Sequence, residues 1–582
     1  AEIQRLLSFG GTSSLSDQLL YNKLDPAQLT SHYFGQQLLA KCSTDQTEIC
    51  PDITFDDMKQ KYRCWPERTS TSPSGRHLSH YHALSKPDGN VVAEDEIDDI
   101  DLARQSIWSM HHSILKYATR HGYCFNRWHT VVNAMIEKEP GDPRIHRLRV
   151  IHLYEADYSL ILGIQFRRLM HQCEDLMLLN PGCYGCRPAR TAHDPIVIEV
   201  LQMDYTFATQ YPHIKFSNDA TSCFDRIIPS VSSIIARSYG LHRNIANMQG
   251  NMLLHAIYKI KTQLGISDAS YSHSDEFPIF GTGQGSSSSP SIWTLYCSAA
   301  FDIYDQHCYG ANYTSTDRSQ QLNLGMTGFV DDNNAQTTGR PDESEEALAA
   351  RCTHDAQLWH DILWATGGAL ETSKCSYQSM RFDFSNSGVP FLRHGKHGPP
   401  IIIKDPQGED ITIEQLPVTQ AYKILGTYQA AVVSQRQQHS VLKKKAQDHC
   451  RTLSLSNVST TGAWIYYSSV FLRSVGYPLG VCHLTKSQLD SLQGPMVTTT
   501  LKKMGYNSSM SWAVVFGPSK YGGLAFHDLH IEQGVESIRL LMRHLRFPGQ
   551  PQKMALITLD RLQHNSGLGT HLLEDPHVYA PH

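Results

Sequence analysis

The chain lacks most of the features that would place it quickly. Its 582 residues hold 14 cysteines scattered from Cys42 to Cys482. That is too sparse for a disulfide-stapled scaffold, so reduced and mostly buried thiols are expected. No long hydrophobic run is present: a largely apolar stretch such as Ser291 to Phe301 falls well short of the roughly 20 residues that cross a bilayer. The opening AEIQRLLSFGG has no basic region followed by an apolar one, so no secretory signal is read. These absences predict a protein without a membrane partner, acting inside the cell. Neither sign of charge is in large excess, the net being −5, and any surface for nucleic acid must be a local groove rather than a global field. No internal repeat occurs, which argues against a solenoid. With 40% hydrophobic and 18% charged residues, the chain has enough apolar surface for a real core and is neither disordered nor a coiled coil.

At roughly 150 residues per domain, a chain of this length makes three or four units or one large modular enzyme. The expected division is an N-terminal extension over 1–110, a mixed region over 111–430 and a mainly helical region over 431–582. The acidic run Glu94 to Asp101 follows a turn-like Pro87-Asp88-Gly89-Asn90 and reads as a solvated helix start. From Leu102 to His121 the residues Ile107, Met110, Ile114 and Leu115 recur at helical spacing, which predicts an amphipathic helix buried along that stripe. Leu148 to Met170 reads as another helix. Between 195 and 335 the pattern changes to strand, helix, turn and strand, as in an α+β sheet layer. Cys183 and Cys186 form the one close cysteine pair. Zinc would need two more ligands, for which Cys173 and His193 are nearest, and free thiols are the expected reading. Lys443 to Lys445 and Lys502-Lys503 are local basic spots.

The strongest local signal is Gly328-Phe-Val-Asp-Asp-Asn-Asn334, two adjacent acids between an apolar pair and two polar residues. This predicts a hairpin tip carrying charge. Neighbouring carboxylates repel unless a cation offsets them, and Mg²⁺, which prefers oxygen ligands, is the natural one. A second apolar segment ends at Asp219, in Phe216-Ser-Asn-Asp219-Ala-Thr-Ser-Cys-Phe224-Asp225. Between the two lies Gly281-Thr-Gly-Gln-Gly-Ser-Ser-Ser-Ser-Pro290, whose glycines permit close backbone approach and positive φ. Its neighbours Phe277-Pro-Ile-Phe280 and Trp293 are expected to be buried, unlike those of a flexible linker.

These three segments, in this order, resemble motifs A, B and C of reverse transcriptases: Asp219-x4-Phe224-Asp225, then Gly281-x2-Gln284-Gly285-x3-Ser289-Pro290, then Phe329-x-Asp331-Asp332. The resemblance extends outward to the non-LTR retrotransposon enzymes. Ser72 to Leu78 is similar to their segment before the fingers, and Trp128 to Leu153 to their first fingers motif, with Arg149-Val150-Ile151 standing in for Arg-Pro-Ile. Tyr184 to Asp194 is similar to the next fingers motif, Gly367 to Cys375 to motif D, Tyr422 to Gly426 to motif E, and Gly522 to Leu529 to the segment that follows the thumb. The implied fold class is α+β: a right-hand polymerase fold of fingers, palm and thumb, with a mainly helical C-terminal thumb region. The implied activity is RNA-directed DNA polymerisation. A group II intron-type maturase and an inactive RNA-binding descendant are the alternatives. No endonuclease-like segment is expected before residue 65, and no RNase H-like carboxylate set after 450.

The resemblance also implies roles. Asp219, Asp331 and Asp332 would be the catalytic carboxylates, holding two Mg²⁺ ions, with Mn²⁺ as a substitute, aided by the backbone carbonyl of Ala220. Phe224 would stand where a 2′-hydroxyl must be excluded, selecting dNTPs, and Asp225 would be structural. Gln284 and Gly285 would lie against the incoming base pair, and Lys138 and Arg149 would reach the triphosphate. Lys374 would protonate or position the leaving pyrophosphate. Arg187 and Arg190 would touch the template backbone. The partners would be an RNA template, a DNA primer or RNA–DNA hybrid, and dNTPs, and the site of action would be nuclear.

Overall fold

The computed structural model describes residues 2–43, 46–70, 73–85, 94–221, 223–432, 434–567, 569–570 and 572–574. The turn-like Pro87 to Asn90 and Ser72 lie outside them. The first ten strands in chain order are β1 (Thr130–Glu137), β2 (Leu148–Leu153), β3 (His213–Asp219), β4 (Ile257–Thr262), β5 (Gly265–Ser272), β6 (Ala311–Thr314), β7 (Gln321–Leu324), β8 (Met326–Phe329), β9 (Asp332–Thr338) and β10 (Ser376–Met380). Many helices surround them, so the α+β class is observed.

Two sheets organise the first four hundred residues. One has the order β2-β1-β4-β5, with β1 and β4 parallel and the other neighbours antiparallel. The second has β10, β3, β9 and β8 side by side, extended at the β10 edge by the two-residue strand Glu414–Gln415. In β3, Ile214, Phe216 and Asn218 alternate with Lys215, Ser217 and Asp219, and period-two alternation sends the two sets to opposite faces. The helix Glu345–Ala365 covers the first face, where Trp359 Nε1 donates to Asn218 Oδ1 at 2.9 Å. The helix His193–Thr209 covers the second, where Glu199 forms a buried ion pair with Lys215. Tyr422 donates to the same Glu199 carboxylate at 3.0 Å, and the Lys215 ammonium lies over its ring.

The C-terminal part is helical, as its pattern predicts. Leu442, Tyr467, Phe471, Leu489, Met496 and Phe526 close a separate core among the helices from Arg436 onward. The segment Gly522 to Leu529 runs through it, with Phe526 buried. Lys443, Lys444 and Lys445 lie exposed along the helix Arg436–Leu455, the last donating to the Ser474 carbonyl at 3.0 Å. The final helix, Gln550–Ser566, leaves this core and packs back on His193–Thr209, where Asn565 donates to the Ala208 carbonyl.

Three expectations are corrected. Leu148 to Leu153 is strand β2, not the start of a helix, because its backbone pairs in register with β1 from Val132↔Leu153 to Glu137↔Leu148; the helix begins at Ala156. A helix does span Glu94–His121, and of the expected stripe Leu115 is buried and Ile114 half-buried, but Ile107 and Met110 are exposed and Trp108 and Ala118 are buried in their place. Trp108 is anchored by donating Nε1 to the Leu84 carbonyl at 2.8 Å. Burying Leu115 there is worth about 1.5–3 kcal/mol. Finally, Phe277 is exposed; Trp293 alone of the predicted flank is fully buried.

Candidate active site

The centre of the site is the tip of the β8–β9 hairpin. Phe329 pairs with Asp332, leaving Val330 and Asp331 as a two-residue turn. Val330 adopts φ +62, a conformation costing a β-branched residue about 1–2 kcal/mol. Two contacts hold it there: Trp293 Nε1 donates to the Val330 carbonyl at 2.6 Å, and Gly185 packs so tightly beneath that an added Cβ would lie 2.7 Å from the Val330 nitrogen. The segment around Gly185 docks on the free edge of β8, with Tyr184 N donating to Gly328 O and Gly328 N to Gly182 O, both at 2.9 Å. The expected hairpin with a charged tip is therefore observed, with Asp331 following Val330 in the turn.

β3 brings the third carboxylate. Its pairing with β9 sets Asp219 directly opposite Asp332, so Asp219, Asp331 and Asp332 share one end of the sheet. Beyond Asp219 the chain is tied to the Gly367 to Cys375 segment: Thr221 N donates to Ala369 O at 2.8 Å, Glu371 N donates to Asp219 O at 2.9 Å, and Ala220 bridges Leu370. Lys374 on that segment donates to Asp219 Oδ2 at 2.6 Å. Burial raises the Asp331 pKa and the Asp219 charge raises it further, while Lys374 and Arg149 act to lower it. The Asp332 carboxyl is pushed up to about 6, first by burial and then by Asp331 and Asp219, with Lys374 and Lys423 opposing. The like charges concentrated here are those a divalent cation would neutralise.

Around this cluster the remaining residues take definite positions. Phe224 lies in the short helix Cys223–Arg226, edge-on to Trp293 with ring centroids 6.3 Å apart. Its carbonyl accepts from Thr282 N at 2.9 Å, so the glycine-rich loop is stitched to the Phe224 turn. The other side of that loop rests on β2: His152 N donates to the Gln284 carbonyl at 2.6 Å, and a Cβ on Gly285, at φ +116, would strike the His152 carbonyl at 2.4 Å. Gln284 is half-buried and Gly285 exposed. Arg149 on β2 and Lys138 just past β1 are exposed, with Arg149 facing Asp331 and Lys138 facing Asp225. The hairpin formed by Tyr422–Ile424 and Thr427–Gln429 turns on Leu425 and Gly426, both at positive φ, and brings Lys423 toward Asp332.

Three placements differ from expectation. Arg187 is only 6% exposed, and its guanidinium is taken up by Glu174 and by the carbonyls of Asn180 and Cys183. It is a buried clamp, not a surface contact for a template. Arg190 is a quarter exposed and shares Glu174 at 3.4 Å. Asp225, expected as structural, is exposed, and its charge opposes that of Lys138 in the cleft. His152 was not singled out by the sequence, although it lies within the Trp128 to Leu153 segment just after Ile151; burial lowers its pKa to about 4, so the ring beside the glycine-rich loop is neutral. Cys183 and Cys173 are buried, Cys186 is exposed, and His193 binds the Tyr477 carbonyl.

The donor chemistry of the carboxylate cluster suits a hard divalent cation. Among the described residues no three carboxylate, imidazole or thiol groups already converge as a finished cage. No helix among those residues is long and apolar enough to cross a membrane. Compared with models of known families and with curated proteins, the chain matches none of either.

Proposed function

We propose that the chain is an RNA-directed DNA polymerase of the non-LTR retroelement type, built as a right hand with the β3–β9–β8 sheet as palm. The observation that carries this reading is the register of β3 against the β8–β9 hairpin, which gathers Asp219, Asp331 and Asp332 at one sheet end beside Phe224 and the glycine-rich loop. Within this reading, Asp219 and Asp331, supported by Asp332 and the Ala220 carbonyl, would hold two Mg²⁺ ions. Those ions, when bound, supply activation of the primer 3′-hydroxyl and neutralisation of the phosphate oxygens.

The chain's own residues then have distinct tasks. Arg149 and Lys138 orient the triphosphate of the incoming dNTP with a planar fork and a point charge. Lys374, already beside Asp219, donates a proton or a hydrogen bond to the departing pyrophosphate. Gln284 and Gly285 support the new base pair. Phe224 occupies the space a 2′-hydroxyl would need, which a merely apolar pocket rejects only about a hundredfold. RNA template, DNA primer and a nuclear place of action belong to the same proposal. The test is primer extension on an RNA template with Mg²⁺, run with dNTPs and then with rNTPs. Extension by dNTPs alone is the expected result. Preferential use of rNTPs, or RNA binding without any extension by folded protein, would overturn the reading.

A further inference from the structure

A cavity of about 560 Å³ lies behind the glycine-rich loop, lined by Lys61, Arg167, His171, Cys186, Ser287 and Ser291 together with the buried Arg187. No carboxylate lines it among the described residues. Arg187 is neutralised by Glu174, but Lys61 and Arg167 have no acidic partner among the described residues. Lys61 comes from the helix Phe55–Cys64, and Arg167 and His171 from the helix Ala156–Asp175. The contact is made close by Gly163: a Cβ there would stand 3.1 Å from Lys61 Nζ and 3.5 Å from Ser287 Cβ, so the ammonium lies beside bare helix backbone near the loop, and over the Trp65 ring at 5.5 Å from its centroid. The Lys61 pKa is lowered by burial and then by the Arg167 charge. Two cations held together, one of them half-buried, are unfavourable until an anion joins them.

The cavity adjoins the candidate active site. Ser291 and Trp293 lie two residues apart on the helix Ser289–His307, hence on roughly opposite sides of it at 3.6 residues per turn. One side meets the cavity, and the other holds the catalytic turn through Val330. We propose that this cavity binds backbone phosphates of the single-stranded RNA template, with Lys61 and Arg167 as the contacts. The inference rests on the polymerase reading and extends it to residues outside every motif of the resemblance. The N-terminal helix carrying Lys61 thereby becomes part of the template path, and Ser287 links that path to the loop beneath the new base pair. The cavity is larger than one phosphate group needs, as expected for successive groups on a strand.

The test is the salt dependence of binding of a labelled single-stranded RNA, read by anisotropy with the full chain, without dNTPs. For single strands each lost phosphate contact reduces the slope of log K against log salt by about 0.7. Lys61→Gln combined with Arg167→Gln should therefore flatten the slope by about 1.4, Arg167→Gln alone by about half that, and the remote Lys404→Gln not at all. If the double variant melts below the wild type, the single Arg167→Gln change, at an exposed position, decides. An unchanged slope in a folded variant overturns the inference. So does a loss confined to the dNTP KM, which would make the cavity a triphosphate site. Wild-type extension assays run beside these measurements separate the two claims. Extension with an unchanged slope leaves the polymerase reading standing and removes this one. A flattened slope without wild-type extension keeps an RNA site and removes the polymerase.

Discussion

Two pairs of basic residues look equivalent in the sequence and have opposite fates in the fold. Arg149 and Lys374 stand exposed and face the carboxylates, Lys374 at 2.6 Å from Asp219. Arg187 and Arg190 both turn to Glu174, and Arg187 is buried within the segment that docks on the β8–β9 hairpin. What separates them is the neighbouring acid. Where a glutamate lies within reach on a packed helix, the guanidinium becomes part of the scaffold; where the nearby acids are a repelling cluster at a sheet end, the cation stays accessible to a ligand.

That contrast can be broken at each residue in turn. The largest effect is expected from Arg187→Ala, which leaves the Asn180 and Cys183 carbonyls without their partner and Glu174 with Arg190 alone, and should cost about 1–3 kcal/mol of stability for each orphaned carbonyl, read by denaturant unfolding. Lys374→Ala should leave the melting curve unchanged while lowering the single-turnover extension rate about a hundredfold, the low end for a lost proton donor. Arg149→Ala should raise the dNTP KM about tenfold, equivalent to about 1.4 kcal/mol, again without a change in melting. Protonation supplies a gentler probe. Because the Asp332 carboxyl is raised to about 6, its protonated form, which cannot bind a cation, grows as pH falls through 6. The Mg²⁺ concentration giving half-maximal rate should therefore climb about tenfold per pH unit below that point and level off above it. The smallest effect is expected from Arg190→Ala, a partly exposed pair worth about 0–1 kcal/mol, with extension nearly unchanged. An Arg187→Ala protein that folds normally and binds RNA poorly would reverse the contrast.

The carboxylate end of the sheet was legible because it is local. Two adjacent acids after an apolar pair make a hairpin tip, and a strand ending in Asp219 needs only one antiparallel pairing to meet it. The helices after residue 430 were legible from their periodicity for the same reason. What escaped was decided by distant partners. Leu148 to Leu153 has enough apolar residues for a helix, and only the edge of β1 makes it a strand. The β4–β5 hairpin was not read, although Tyr258-Lys-Ile-Lys-Thr followed by Gly265 at φ +125 is a fair strand-and-turn signal. It joins the sheet of β1 across more than a hundred residues, which no local pattern announces. Ile107 and Met110 are exposed while Trp108 between them is buried against the distant Leu84 carbonyl. The role of Arg187 depends on Glu174, 13 residues away.

The central claim is that Asp219 on β3 and Asp331 on the hairpin turn act as one unit. A double-mutant cycle in RNA-templated extension measures this directly, with Asp219→Ala, Asp331→Ala and both together in protein whose folding is verified by circular dichroism. Groups that work as a unit are grossly non-additive. Each single change should lower the rate by about a thousandfold or more, and the double should be no worse than either single. Two modest losses that multiply in the double variant, or a single variant with wild-type activity, would contradict the account.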